Sequence, residues 1–347
     1  MQRQIEVSAQ LSPKEGHTIW VSIPNEAQSQ GLTDSTVVRT AMRLTLLSIL
    51  FASTLYLAWT VNEWPLLIAL TIGLSLLMSQ FAFVGHDAGH GTISRNSKVN
   101  RLFGQYSMTF IAGMCFDSWF KTHKAHHQFC QNEDKDPDMA VSLVVSLTEK
   151  SSRNKSALGQ FFTRFQHLHI WFLSLFFAHS QRHLTQLDAV KWRFLLDGLV
   201  SLAHILLWFA VPYWILDVSL GRILFIYFVP AFVLGPHLAG IFWINHIGMP
   251  LVDRQETFSF LEHQAVTSRT VQVPRGARWL FGGLDLQIEH HILSQVPSHR
   301  LRRLQTIVIN QFEQHGIPYR ADSWWDAIIA IRRHLRAVSQ LRQGTVP

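Results

Sequence analysis

Four long apolar stretches constrain what this chain can fold into more than any other feature. They cover residues 44–61, 65–85, 199–216 and 223–245, and none of them contains Asp, Glu, Lys or Arg. Each has the length of a bilayer-crossing α-helix, which is about 17 to 25 residues. Short turns at residues 62–64 and 217–222 join the stretches in pairs. The sequence therefore predicts an all-α integral membrane protein with four transmembrane helices in two hairpins.

The distribution of basic residues predicts the orientation of these helices. Of the 30 Lys and Arg residues, only Arg222 lies in a turn that joins two stretches, and none lies within a stretch. Because cytoplasmic segments carry an excess of Lys and Arg, both termini and residues 86–193 are expected in the cytoplasm. The net charge of +7 then reflects topology and contact with membrane lipid, and no nucleic acid partner is expected. Since no signal-peptide core or organelle address is evident, we expect the inner (cytoplasmic) membrane of a bacterium.

Seven of the 19 His residues form three clusters next to or beyond the apolar stretches. The clusters are His86 and His90 in GHDAGHG, His123, His126 and His127 in FKTHKAHHQF, and His290 and His291 in LQIEHHI. Helical residues three or four positions apart share one face, so the first two clusters can each direct their imidazoles towards one ion. All three clusters are expected on the cytoplasmic side, which predicts a shared metal site. His246 in WINHIGMP follows the last stretch and is an eighth candidate ligand.

The type and number of these residues bear on the metal. Imidazole binds iron, zinc, copper and nickel, so the ligand type leaves the metal open. Seven imidazoles exceed the four ligands of a tetrahedral zinc ion and favour two ions of higher coordination number. Only two Cys are present, without a CxxC motif, which excludes a disulfide framework and a cysteine-rich zinc site.

Carboxylates near the clusters are candidates for orienting the ligands, because a metal-bound imidazole usually donates its second N–H to a carboxylate or carbonyl. Asp87 lies within the first cluster, Asp134, Asp136 and Asp138 follow the second, and Glu289 precedes His290. A solvated acidic loop at residues 133–138 is the alternative interpretation. Cys130 is expected to take no part in the site. His204, inside an apolar stretch, is expected to be neutral and hydrogen-bonded to a neighbouring helix.

The motifs HDAGH, HKAHH and QIEHH, in this order around two hydrophobic hairpins, resemble the three histidine boxes of the membrane fatty acid desaturases. The resemblance extends to QNEDKDPD after the second box and to GGLDLQIEHHILSQVP around the third. It covers residues 40–305, with residues 1–39 as a cytosolic N-terminal segment and residues 306–347 as a cytosolic helical tail. It implies a stalk of four transmembrane helices and a cytosolic helical cap that holds a non-haem di-iron site.

The resemblance also implies roles for individual residues. The iron ligands would be His86, His90, His123, His126, His127, His246, His290 and His291. Residues expected around them are Asp87, Asn132, Asp136, Asn245, Gln287 and Glu289. Among these, Asn245 or Gln287 would hold a water or contact an iron more weakly.

Two departures from the family pattern bear on the branch and the electron donor. Gln287 replaces the first His of the third box, which is similar to the front-end branch, whose members often carry a fused cytochrome b5 domain. Only 39 residues precede the first span, too few for that domain, so we expect a separate electron donor such as ferredoxin. ILSQVP stands where the family commonly has a Phe-Pro pair, which leaves the position of the double bond open.

The chemistry explains why such a chain needs a metal. Breaking an unactivated methylene C–H bond requires an oxidant that no side chain supplies, so the expected cofactors are two iron ions, with O2 as co-substrate. The leading hypothesis is an O2-dependent desaturase acting on an acyl-lipid, acyl-CoA or acyl-carrier-protein substrate. A hydroxylase or ketolase of acyl chains or carotenoids would use the same site. A zinc hydrolase would leave several histidines idle, and a metal transporter would place its ligands within the spans, so both are remote alternatives.

Overall fold

A computed structural model of the chain describes residues 11–139, 144–191, 193–252 and 258–341. In chain order its α-helices are α1 (Pro13–Ser29), α2 (Val37–Thr60), α3 (Trp64–Gly89), α4 (Ser97–Gly104), α5 (Phe116–Phe129), α6 (Glu149–Arg153), α7 (Ala157–Arg164), α8 (Gln166–Leu173), α9 (Phe177–Lys191), α10 (Leu195–Ile205), α11 (Leu220–His246), α12 (Phe260–Thr267), α13 (Arg278–Phe281), α14 (Gln287–Ile292), α15 (Leu301–His315) and α16 (Trp324–Leu341). π-Helical turns cover Gln105–Ile111 and Leu206–Ile215, and 3-10 turns cover Pro137–Met139, Ser174–Phe176, Arg275–Ala277 and Ser298–Arg300. Two short strands, β1 (Thr270–Gln272) and β2 (Ala321–Ser323), pair in parallel.

The prediction of four membrane-spanning helices is confirmed. The spans are α2, α3, α10 with its π-helical continuation (Leu195–Ile215), and α11, and they contain 24, 26, 21 and 27 residues. At about 1.5 Å per residue, even the shortest matches the hydrocarbon thickness of about 30 Å. The chain is otherwise mostly helical, as predicted, and the pair formed by β1 and β2 is the one sheet in the described residues.

The chain groups into two compact units. The first unit comprises residues 1–33, 122–172 and 240–347, and the second comprises residues 34–121 and 173–239. These units differ from the segments 1–39, 40–305 and 306–347 expected from the sequence, whose boundaries stay predictions. Both α5 and α11 begin in the second unit and end in the first.

Two apolar clusters form the core of the first unit. In one, Ile23 of α1, Leu261 of α12, Ile288 of α14 and Phe312 of α15 are all fully enclosed. Burying each side chain of this kind contributes about 1.5–3 kcal/mol. In the other, one face of α16 packs against the end of α11 and against β1. The first cluster fixes α12 and α14 relative to each other, and the second holds the end of α11 against α16 and β1.

In the second unit, the segments between the hairpins pack against the spans. The Nδ1 of His204 in α10 lies 2.8 Å from the carbonyl oxygen of Phe110, and the guanidinium of Arg182 in α9 lies over the Tyr227 ring at 5.2 Å. The Nε2 of His204 lies 3.1 Å from the hydroxyl of Tyr227, so this histidine is hydrogen-bonded to neighbouring helices as expected. Residues 105–111 and α9 therefore lie beside the interior of the spans.

Candidate metal centre

Three parts of the first unit bring six of the predicted ligands together. His123, His126 and His127 lie on α5, His246 is the last residue of α11, and His290 and His291 lie on α14. The spacing on α5 places its three imidazoles on one helical face. The side chains of His126, His290 and His291 are each about 3% exposed. The apolar clusters of that unit include residues of α14 and of the end of α11.

His126, His246 and His291 form one group of rings. The ring centroid of His126 lies 4.8 Å from that of His246 and 5.2 Å from that of His291. The ring centroids of His246 and His291 are 4.9 Å apart. The Sγ of Cys130 lies 3.4 Å from Nδ1 of His246. One potential ligand atom from each of these four residues lies within 4.8 Å of the others. The four residues therefore form a cluster that can hold a metal ion.

The same nitrogen of each of these three histidines is fixed by a hydrogen bond. Nδ1 of His126 donates to the Asp136 carboxylate at 2.9 Å, and Nδ1 of His291 donates to Oε1 of Gln264 at 2.8 Å. Nδ1 of His246 donates to the carbonyl oxygen of Thr267 at 3.2 Å. Because each acceptor is an oxygen, each Nδ1 carries a hydrogen, which leaves Nε2 as the ring nitrogen that can bind a metal. An imidazole held in this way is ready to bind a metal through Nε2.

The other three histidines converge through their Nε2 atoms. Nε2 of His127 lies 3.2 Å from Nε2 of His123 and 3.1 Å from Nε2 of His290. Two nitrogen ligands of one ion, with bonds of about 2.1 Å, are about 3.0 Å apart at right angles and about 3.4 Å apart in a tetrahedron. The observed separations fall within this range, so the three nitrogens have the spacing of metal ligands.

The protonation of the first group also suits a metal. Burial, together with the neighbouring His127, His246 and His126, holds the pKa of His291 well below its usual range, so this ring is neutral. Its Nε2 is buried and has no hydrogen-bond partner among the described residues. For His126, burial lowers the pKa, but the Asp138 and Asp136 carboxylates outweigh burial and raise it to about 9. The residues therefore fit a cation that replaces the proton on His126 and occupies the lone pair of His291.

His86 and His90 lie in the second unit, at the end of α3. Their ring centroids are 4.8 Å apart, as expected for residues one helical turn apart. Trp119 lies beside His86, with ring centroids 5.8 Å apart, and Phe120 lies beside His90 at 6.4 Å. The backbone carbonyl of Asp87 accepts hydrogen bonds from Thr92. The pair thus presents two neighbouring imidazoles among aromatic rings at the end of a span.

Of the acidic residues that follow the second histidine box, it is Asp136 whose carboxylate accepts the hydrogen bond from Nδ1 of His126. Its side chain is 4% exposed and also accepts from the backbone N–H groups of Gln131 and Asp138. Asn132 shapes this turn, because its Oδ1 accepts from the N–H groups of Asp134 and Lys135 at 3.2 and 3.1 Å. Asp134 instead pairs with Lys150 at 2.6 Å, where both side chains are exposed.

Three further candidates, Asn245, Gln287 and Glu289, lie at the end of α11 and on α14. The amide nitrogen of Gln287 lies 3.0 Å from Nε2 of His246, and its Oε1 accepts from Nδ2 of Asn245 at 3.0 Å. The Oδ1 of Asn245 is buried without a hydrogen-bond partner among the described residues. Glu289 accepts from Thr270 at 2.9 Å and from the hydroxyl of Tyr319, and it makes no hydrogen bond to a histidine within the described ranges. Asn245 and Gln287 therefore lie at the site, whereas Glu289 faces another part of the unit.

Several residues at the site have no signal in the sequence. Gln264 of α12 contacts two ligands, since its Nε2 also donates to the carbonyl oxygen of His127 at 3.1 Å. Gln131 donates from its side chain to the carbonyl oxygen of His246. Cys130, expected to take no part, is buried beside His246. A sequence signal exists only for α12 itself, where Ser259 and Glu262 form a capping box that marks the start of a helix.

Comparison with known proteins places the chain among lipid-modifying enzymes. It is 27% identical over 93% of its length to Delta(8)-fatty-acid desaturase 2 of Arabidopsis thaliana, of which 75% is covered. It is 29% identical over 79% of its length to a Delta(8)-fatty-acid desaturase of Borago officinalis, of which 64% is covered. It is 24% identical over 76% of its length to a Delta 8-(E)-sphingolipid desaturase of Komagataella phaffii, of which 52% is covered. The chain thus spans about half to three quarters of the length of these relatives.

These comparisons bear on the expectations drawn from the sequence. The relatives named above are desaturases of lipid chains, which together with the histidine clusters supports an integral membrane oxidoreductase with a metal cofactor and a lipid substrate. They come from plants and a yeast and give no support for a bacterial membrane. The family model described as fatty acid desaturase matches residues 62–323. The match includes all three histidine boxes, and the chain belongs to the fatty acid desaturase family.

Proposed function

We propose that this chain is an O2-dependent desaturase that introduces a double bond into a fatty acyl chain at a centre of two non-haem iron ions. The observation that supports the proposal most is the arrangement of His126, His246 and His291, each anchored through Nδ1 to an oxygen. An Nδ1 that donates to an oxygen leaves Nε2 as the ring nitrogen that can bind a metal, as a metal-ligating histidine requires. Three such rings in contact, in a member of the desaturase family, favour a metal centre.

The proposed iron ligands are the eight histidines expected from the sequence. His126, His246 and His291 would hold one iron, and His123, His127 and His290 belong to the ligand set through their converging Nε2 atoms. His86 and His90 are included because their spacing matches the first histidine box of the family. Asn245, with its buried Oδ1, and Gln287 are proposed to contact iron or an iron-bound water. The neutral nitrogen and oxygen donors suit iron, although zinc and copper share some of them.

Bound iron would supply, together with O2 and two electrons, the oxidant needed to remove hydrogen from an unactivated methylene group. The substrate would lose one hydrogen from each of two adjacent carbons, and O2 would leave as two waters after taking up two further protons and the donor's two electrons. The contribution of the chain is to orient the ligands and to exclude water. Asp136, Gln264 and the carbonyl of Thr267 orient them, and the burial of His126, His290 and His291 keeps bulk water away.

We propose an acyl-lipid or sphingolipid as the substrate, because the relatives include desaturases named for both classes. Acyl-CoA and acyl-carrier-protein substrates are the alternatives that product analysis would reveal. The two electrons would come from a separate one-electron carrier, and ferredoxin is the proposed donor. We also propose that the metal-binding segments face the cytoplasm, because the basic residues avoid the two turns between the spans.

The experiment is gas chromatography–mass spectrometry of total lipids from a host that expresses the chain with a ferredoxin donor. The matched control is the double variant His290→Ala, His291→Ala. A new unsaturated chain that requires the intact histidines would support desaturation and would locate the double bond. A hydroxylated or keto product would instead support the hydroxylase or ketolase alternative. Unchanged lipids from iron-loaded protein, with either ferredoxin or cytochrome b5 as donor, would contradict the proposal.

A further inference from the structure

The helix that carries the second histidine box starts inside the second unit, and among the described residues its N-cap side chain accepts no hydrogen bond from the first turn. A helix leaves its first N–H groups without intrahelical partners, and an N-cap side chain normally accepts from the second and third of them. The first helical hydrogen bond of α5 runs from the N–H of Trp119 to the carbonyl of Cys115, so Cys115 is the N-cap residue. A cysteine side chain is a weak acceptor and does not cap the helix here.

A carboxylate from another helix takes the place of the missing cap. The N–H of Asp117 donates to Oδ1 of Asp197 at 3.3 Å, and the N–H of Ser118 donates to Oδ2 at 3.1 Å. Asp197 lies on α10, 79 positions beyond Ser118 in the sequence. The N–H of Phe116 donates to Oγ1 of Thr109 at 3.0 Å. The first turn of α5 is therefore satisfied by side chains outside the helix, one of which, Asp197, is remote along the chain.

The environment of Asp197 is built for this contact. Its side chain is fully buried, and Nε2 of Gln105 donates to Oδ1 at 2.7 Å, while Oγ1 of Thr109 lies 3.4 Å away. Each hydrogen bond described for this carboxylate comes from an N–H or O–H donor, so Asp197 acts as an acceptor at the start of α5. A negative charge at this position also interacts favourably with the helix macrodipole.

We infer that Asp197 is a positioning residue for the metal centre: by capping α5 it fixes the helix on which His123, His126 and His127 lie. The inference rests on the proposed di-iron function. His123 follows Asp117 by six residues, which is about 9 Å along a helix. Metal–ligand distances tolerate deviations of about 0.2 Å, so a small change in the first turn of α5 weakens metal binding.

The test compares Asp197→Ala and Asp197→Asn with the wild-type protein, all purified with 57Fe. Iron retention during dialysis against a chelator and the Mössbauer spectrum report on the metal centre. Hydrogen–deuterium exchange of residues 115–127 in iron-free protein reports on the cap without any metal. Leu55→Ala, a buried position on α2, is the control for a general loss of stability. If Asp197→Ala does not fold, Asp197→Asn carries the same test, because its amide oxygen still accepts from one N–H.

Asp197→Ala is expected to lose iron about tenfold more readily than wild type, in line with the effect of removing groups that orient metal ligands. It should also alter the Mössbauer spectrum and speed exchange at Asp117 and Ser118. Asp197→Asn should be intermediate, and Leu55→Ala should lose thermal stability but keep iron retention and spectrum. Unchanged iron retention and exchange in both Asp197 variants would overturn the inference. Wild-type protein that binds no iron would contradict the proposed function, and exchange alone would then decide whether Asp197 caps α5.

Discussion

The carboxylate of Asp136 lies 2.9 Å from Nδ1 of His126, and both side chains are buried. This contact joins a helix to the turn that follows it, since the two residues are ten positions apart. It fixes the tautomer of His126 and increases the basicity of Nε2, the atom proposed to bind iron. The relationship is the clearest link between the local fold and the proposed chemistry.

Replacing Asp136 by Asn should weaken iron binding. An Asn side chain can still accept a hydrogen bond from Nδ1 of His126, but it carries no charge. An NH2 group replaces one of the two carboxylate oxygens, and it cannot accept a hydrogen bond from the backbone N–H of Gln131 or Asp138. We expect the iron affinity to fall about 10- to 100-fold, measured by competition with a chelator. Asp134→Asn is the control, because Asp134 pairs with Lys150 at the surface. Equal iron affinity in the two variants would contradict the role given to Asp136.

Gln264 should matter for the metal although it has no motif. Gln264→Leu removes the acceptor for Nδ1 of His291 and the donor to the carbonyl of His127, so we expect about tenfold weaker iron binding. Each buried group left unpaired should also lower the free energy of unfolding by about 1–3 kcal/mol. Gln264→Glu keeps an acceptor for His291 and should retain iron better than the Leu variant. The control is Gln128→Ala, at an exposed position on α5, which should bind iron as the wild type does. If Gln128→Ala lost as much iron as Gln264→Leu, the prediction would be refuted.

Gly235 on α11 permits a close approach between chain segments in the second unit. A Cβ atom at this position would lie 2.2 Å from the carbonyl oxygen of Ser174 and 2.8 Å from that of Leu175. Because both are backbone atoms, Gly235→Ala should destabilise the protein by about 1–3 kcal/mol. Gly221→Ala on the same helix meets nothing within 4 Å and should change stability by less than about 1 kcal/mol. Thermal unfolding in one detergent checks both, and similar melting temperatures for the two variants would be inconsistent with this packing.

The two cysteines should react slowly in the folded protein. Burial, reinforced by Asp197 and Asp117, raises the pKa of Cys115 to about 11, although its contact with Ser201 opposes this. Burial also raises the pKa of Cys130. Since the thiolate is the nucleophile, iodoacetamide at pH 8 should label neither residue until the protein unfolds, as judged by mass spectrometry.

The same pKa shift has a consequence for stability. The folded state favours the neutral thiol of Cys115, so its contribution is present below about pH 9 and is lost as the pH rises towards about 11. Alkylation of Cys115 should accelerate over the same interval. Rapid labelling of folded protein at pH 8 would show that these side chains are not enclosed as described.

The spans could be predicted from sequence because apolarity over 20 residues is a property of composition alone. The structure extends each helix at its N-terminal end beyond the apolar stretch; α2, for example, begins at Val37 and includes Arg39 and Arg43. Polar residues continue a helix at little cost where it leaves the bilayer, so hydropathy does not mark the boundary. The π-helical turns at residues 105–111 and 206–215 have no sequence signal either, because they depend on packing within the second unit.

Whether a contact at the site could be predicted depends on how far apart its two residues lie in the sequence. The carboxylate of Asp136 reaches His126 across a short turn, so proximity in sequence was informative. Gln264 meets His291 27 positions away, and Asp197 meets α5 about 80 positions away, and no spacing rule connects such residues. Glu289 is adjacent to His290, yet one residue turns about 100° around a helix, and its carboxylate meets Thr270 and Tyr319 instead.

The most direct test of the di-iron proposal is the metal content of the full chain purified anaerobically from cells grown with 57Fe. Mass spectrometry of the metals and Mössbauer spectroscopy, with the His290→Ala, His291→Ala variant as control, measure the number and type of ions. Wild-type protein is expected to hold two iron ions per chain in nitrogen- and oxygen-rich coordination, and the variant fewer than one. A single zinc ion per folded chain, or full iron content in the variant, would contradict the di-iron proposal.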